Sequence, residues 1–150
     1  MMLTAPDVES LSLLVEQEIH VNAPLDVTFE ALLEQLGPMN ETPDGTPLAL
    51  KIEPWPGGRW FRDLGNGNGH FWANVQAIKR PTLIEFSGPL FMSQPVANNV
   101  QYRLSASGEG TLIKFRHHGF GLVHEDHRKG VNAGWSHMNQ KIRERAEKSR

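Results

Sequence analysis

Cysteine is absent from this 150-residue sequence. That excludes disulfides, thiol nucleophiles and thiolate metal sites, and it fits a reducing compartment. Long apolar runs are missing too, none approaching the roughly eighteen residues that a membrane-crossing helix needs. The first residues show no basic-then-apolar leader pattern, so the expected location is the cytoplasm. Positive charge is not in surplus: 15 Lys and Arg stand against 17 Asp and Glu, a net charge of −2. Binding to a nucleic-acid backbone needs a basic excess, so no nucleic-acid partner is expected. The Gly-x-Ser-x-Gly elbow of serine hydrolases is absent. The glycine run Gly65 to Gly69 leads into a strand, whereas a phosphate-cradling loop leads into a helix, so it reads as a hairpin tip.

What is present is a globular composition, 39% hydrophobic and 21% charged. It suffices for one domain over residues 1–150 with a true core. Met1 to Ser10 read as a loose lead-in. From Leu13 to Val21 apolar and polar residues alternate as in a half-buried strand, with Gln17 interrupting the apolar phase. Asn22 is placed to cap a helix with Pro24 in its first turn. Leu25, Phe29, Leu32 and Leu36 form that helix's apolar stripe, and Gly37-Pro38 stops it. Met39 to Pro47 is a proline-bearing loop. Leu48 to Ile52, Arg59 to Leu64, His70 to Ile78, Thr82 to Ser87, Val100 to Ser105 and Thr111 to His118 then read as six strands joined by Gly-, Pro- and Asn-rich turns.

The last run, Glu125 to Glu147, places Val131, Trp135, Met138 and Ile142 on one helical stripe. Strands joined by short turns favour an antiparallel meander, and this helix is the element available to cover its apolar face. The class is therefore α+β: a curved antiparallel sheet of six to seven strands around a long C-terminal helix, with a shorter helix after the first strand.

The order of certain residues carries a family likeness. Ala23-Pro24 open a helix with Val27 and Phe29. Pro56-Gly57-Gly58-Arg59-Trp60, the Val75-to-Pro81 segment, the Gly108-to-Thr111 turn and Gly134-Trp135 follow. Together, across Leu13 to Lys148, they resemble the SRPBCC (START-like, helix-grip) superfamily. Within it the chain resembles the subgroup homologous to the C-terminal domain of a heat-shock chaperone ATPase activator. That resemblance implies a cavity between sheet and C-terminal helix, used across the superfamily for lipids, sterols, polyketides or other apolar molecules. It does not carry chaperone activation, which belongs to longer eukaryotic proteins with an additional domain.

The inward strand phase predicts a cavity lining of Ile84, Phe86, Val100, Tyr102, Phe115 and His117 facing Trp135 and Met138. Trp60 and Trp72 join them, although both phases of their strands hold aromatics. Simple core packing is the competing reading for each residue. Tyr102 and His117 are the informative ones, because a buried phenol or imidazole needs a partner, and a ligand could supply it. His124 and His127 have metal-sharing spacing, but no third ligand follows, and His137 lies about 80° round the helix from His127. Neither a metal nor a cofactor is expected. Leu90, Phe91 and Met92 fit equally a pocket rim, a homodimer contact or a packed loop.

Three functions remain open on the sequence. The leading one is binding of a hydrophobic or amphipathic small molecule. The second is a cyclase- or aromatase-like enzyme in which His117 or Tyr102 moves protons. The third is a chaperone-cofactor-like interaction module with an exposed apolar patch at Leu90 to Met92.

Overall fold

The computed structural model describes residues 8–149 apart from Met92. Its elements are α1 (Val8–Leu11), β1 (Ser12–Val21), α2 (Leu25–Leu36), β2 (Leu50–Ile52), β3 (Arg59–Gly65), β4 (Asn68–Lys79), β5 (Leu83–Gly88), β6 (Val96–Ser107), β7 (Gly110–Gly121) and α3 (Glu125–Ser149). All seven strands form one antiparallel sheet in the order β1-β7-β6-β5-β4-β3-β2. The expected architecture stands: meander, long closing helix and short second helix. The lead-in read over Met1 to Ser10 lies outside the described residues up to Asp7, and Val8–Leu11 forms a helical turn instead of a loose segment.

Local chemistry explains the boundaries. The β3–β4 turn has Asn66 at φ 55° and Gly67 at φ 76° between the paired Gly65 and Asn68. Two consecutive positive φ values match the twist of the flanking strands, and Asn-Gly accepts them at little cost. Leu48, expected in β2, lies before it because Ala49 takes a left-handed φ of 49°. The Leu48 N–H instead donates to the Asn40 carbonyl at 2.8 Å, closing the loop after α2. Asn22 does not cap α2. Pro24 is the N-cap residue, and the Asn22 N–H donates to Glu147 Oε2 of α3 at 2.9 Å.

The sheet's inner face is mainly apolar, with Val100, Leu104, Ile113 and Phe115 nearly water-free. Helix α3 lies on it through Val131, Trp135 and Ile142, each contributing roughly 1.5–3 kcal/mol by burial. Gln17, out of phase in the sequence, is the polar socket for this helix. Its Nε2 reaches Asn132 and Ser136 at 3.0–3.2 Å, and its Oε1 accepts from Asn139 Nδ2 at 2.8 Å. The C-terminal half of α3 is tied to α2 by Arg145, which donates to Gln35 Oε1 at 3.0 Å and faces Glu34 at 3.6 Å.

Candidate functional site

The closing helix fills one half of the grip and leaves the other open. Over β6 and β7 the Trp135 ring packs on Phe115 with centroids 4.7 Å apart and edge-on to His117 at 5.6 Å. Towards β3 and β4 the same helix stands clear of the sheet. A cavity of about 480 Å³ lies there, between the first half of α3, the end of α2 with its following loop, and the aromatics of β3 and β4.

Its wall is built from the backbone outward. The Leu36 carbonyl at the end of α2 accepts from Trp60 Nε1 at 2.9 Å and from Asn40 Nδ2 at 3.0 Å. One orphan helix carbonyl thus fixes an aromatic and an amide on the cavity wall. Trp60 meets Trp72 edge-on at 5.1 Å, and Trp72 meets Phe91 at 5.5 Å. Phe91 stacks on His127 at 4.8 Å and lies 6.3 Å from Trp135, closing an aromatic arc. Phe91 is held there by Leu90, a fully buried residue at φ 58°, whose N–H donates to the Trp72 carbonyl at 2.7 Å. A left-handed leucine is strained, and strain of this kind clusters where a side chain must be aimed.

The α3 side of the cavity is deliberately small. Gly130 and Gly134 both line it, and no atom lies within 4 Å of where a Cβ on either would stand. Glycine inside a helix costs about 0.5–1 kcal/mol relative to alanine. Both residues are exposed, so the open space beside them is continuous with solvent as well as with the cavity.

Of the residues read from the sequence as cavity lining, Trp60, Trp72, Trp135 and Met138 lie on this wall. Ile84, Phe86, Val100, Tyr102, Phe115 and His117 sit behind it in the packed core, each at 2% exposure or less. The displacement has a physical cause. Trp135 and Asn139 occupy the sheet centre, where strand phase alone put the free space. Tyr102 donates its hydroxyl to Asn139 Oδ1 at 2.7 Å, and burial pushes its phenol pKa well up. His117 accepts from Trp135 Nε1 at Nδ1, 2.9 Å away, so its proton is on Nε2, which donates to Asn98 Oδ1 at 2.7 Å. Burial first, then the neighbouring His127 and His118, lower its pKa to about 4. Both polar groups have protein partners.

Sequence reasoning missed Asn40, Gly130, His127 and His137, all on the wall. The glycine pair four apart in an amphipathic helix was the legible signal. Asn40 Oδ1, His127 Nε2 and His137 Nε2 are buried atoms without a hydrogen-bond partner. Burial, then His124, lowers the His127 pKa. The lining contains no Lys or Arg; Glu41 and Asp126 carry its formal charges. Among the described residues no group of three or more His, Asp or Glu is placed to hold a metal ion, and no helix is long and apolar enough to cross a membrane.

A curved antiparallel sheet gripping one C-terminal helix, with a cavity beside it, defines a helix-grip protein of the SRPBCC kind. Solved structures share the fold. An uncharacterised protein of Rhizobium leguminosarum superposes with a TM-score of 0.71 at 18% identity, over 91% of this chain and 95% of that one. Ara h 8.0201 gives 0.63 at 15%, over 90% and 97%. The di-domain ARO/CYC StfQ of the steffimycin biosynthetic pathway gives 0.66 at 13%, over 94% of this chain and 52% of that one. The chain belongs to the family described as Activator of Hsp90 ATPase homolog 1-like protein, whose model matches residues 22–147. No curated protein is similar enough in sequence to be matched.

Proposed function

We propose that this chain binds an apolar or amphipathic small molecule, lipid-, sterol- or polyketide-like in character, in the cavity beside α3. The observation that carries the reading is a space of about 480 Å³ walled by Trp60, Trp72, Phe91 and Trp135. That size and lining are those of small-molecule sites, which are mostly apolar with a few placed polar groups.

A cyclase-like reaction run by His117 or Tyr102 lacks such support. Both nitrogens of His117 and the Tyr102 hydroxyl are engaged inside the protein and do not line the cavity. For the interaction-module reading, Leu90 is fully buried, Phe91 stacks on His127 yet stays 37% exposed, and Met92 lies outside the described residues.

The test is native mass spectrometry of the purified chain, paired with binding of a fluorescent hydrophobic dye. The expected result is an adduct removed by organic solvent, or a dye displaced by apolar competitors. A bare mass together with no dye binding would overturn the proposal.

A further inference from the structure

We infer that the cavity takes amphiphiles body-in and head-out. The apolar body sits against Trp72 and Phe91, and the polar head stays in water, reached through a slot over Gly130 and Gly134. The site then sorts ligands by their apolar body and accepts heads of either charge and of large size. This rests on the proposal that the cavity binds an apolar molecule, and it adds which end of that molecule goes in.

The lining is graded from dry to wet. Leu36 and Trp60 are 0% exposed, and the indole N–H of Trp60 is already engaged by the Leu36 carbonyl. Pro43, Asp126, Gly130 and Gly134, by contrast, line the same cavity and are exposed. Asp126, Gly130 and Gly134 are four residues apart, so they follow one stripe of α3 about 12 Å long. After Asp126 that stripe carries no side chain until His137 and Met138, and no atom lies within 4 Å of a Cβ placed on either glycine. The gap borders cavity and water together. A methylene chain can cross it against bare helix backbone, the close approach that glycine permits.

Charge places the head outside. The lining holds no Lys or Arg to receive an anion, and an ion drawn into an apolar space loses hydration without recompense. Glu41 faces Lys141 at 3.6 Å, and the Asp126 side chain is 89% exposed, 4.0 Å from His124. Neither carboxylate offers the interior an unanswered charge for a cationic head. A head left at the slot meets only solvent-screened charges, which discriminate weakly.

The experiment uses calorimetry at neutral pH with naphthalene and with three conjugates of it. Each conjugate carries the same hexyl chain at the 2-position, ending in a carboxylate, a trimethylammonium or a polyethylene glycol polymer. The three conjugates are expected to bind within about fivefold of one another, the reach of an exposed charge interaction, and no more weakly than naphthalene. Gly130→Leu with Gly134→Leu lays side chains across the slot, at positions where leucine also favours the helix. This variant is expected to lose about tenfold more affinity for the conjugates than for naphthalene, because the chain must push those side chains aside. Naphthalene binding while the charged or polymer conjugates do not overturns the inference, as do equal losses for naphthalene and conjugates in the variant. If naphthalene and the conjugates all fail to bind, it is the cavity proposal that falls.

Discussion

Lowering the pH should destabilise this protein through one imidazole. His117 is fully buried, accepts from Trp135 at Nδ1 and donates to Asn98 from Nε2. Protonation would place an N–H at Nδ1 against the indole N–H, two donors facing each other. Burial above all, then His127 and His118, holds the folded pKa to about 4, against 6.5 for the free side chain. Because the folded value is depressed, the unfolded chain takes up the proton first. Stability is complete above about pH 6.5, falls as pH drops from there towards 4, and levels off below. Each tenfold difference in proton affinity between the folded and unfolded chains is worth about 1.4 kcal/mol. The full loss is therefore about 3 kcal/mol, of which about 2 falls between pH 7 and 5. The assay is urea unfolding followed by tryptophan fluorescence across this range, for the parent chain and for His117→Gln. Glutamine can keep both hydrogen bonds but does not titrate, so the variant should lose about one proton's worth of acid slope. Equal slopes in the two proteins would refute the assignment.

Gly130→Ala and Gly134→Ala should each stabilise the fold by up to about 1 kcal/mol in thermal or urea unfolding, since no atom lies near the added methyl. The same variants should weaken dye binding several-fold, and stabilisation with unchanged binding would remove the glycines from the cavity's function. Tyr102→Phe should cost about 1–3 kcal/mol by urea unfolding, because it leaves Asn139 Oδ1 buried without its donor.

The fold was largely legible in the sequence because periodicity and turn chemistry are local. The stripe of Leu25, Phe29, Leu32 and Leu36 and the Asn66-Gly67 turn each mark their element without reference to the rest of the chain. The cavity was less so. Strand phase identifies which side chains point inward but not which of them meet space and which meet the helix. Trp135 and Asn139 take the sheet centre, sending Tyr102 and His117 into protein hydrogen bonds. The wall residues that replace them depend on tertiary events. Asn40 arrives through a carbonyl at the end of α2, and Phe91 through a left-handed leucine. Gln17 shows the reverse, a break in pattern that marked a contact: its amide receives α3.

The four tryptophans provide the most direct test of where a ligand sits. Trp60, Trp72 and Trp135 line the cavity, whereas Trp55 lies outside it at 55% exposure. In a two-dimensional NMR titration with 2-naphthol, the three wall indole N–H resonances should shift together with one saturable affinity while that of Trp55 stays in place. Shifts confined to Trp55, or none at the three wall indoles under saturating probe, would contradict a binding cavity beside α3.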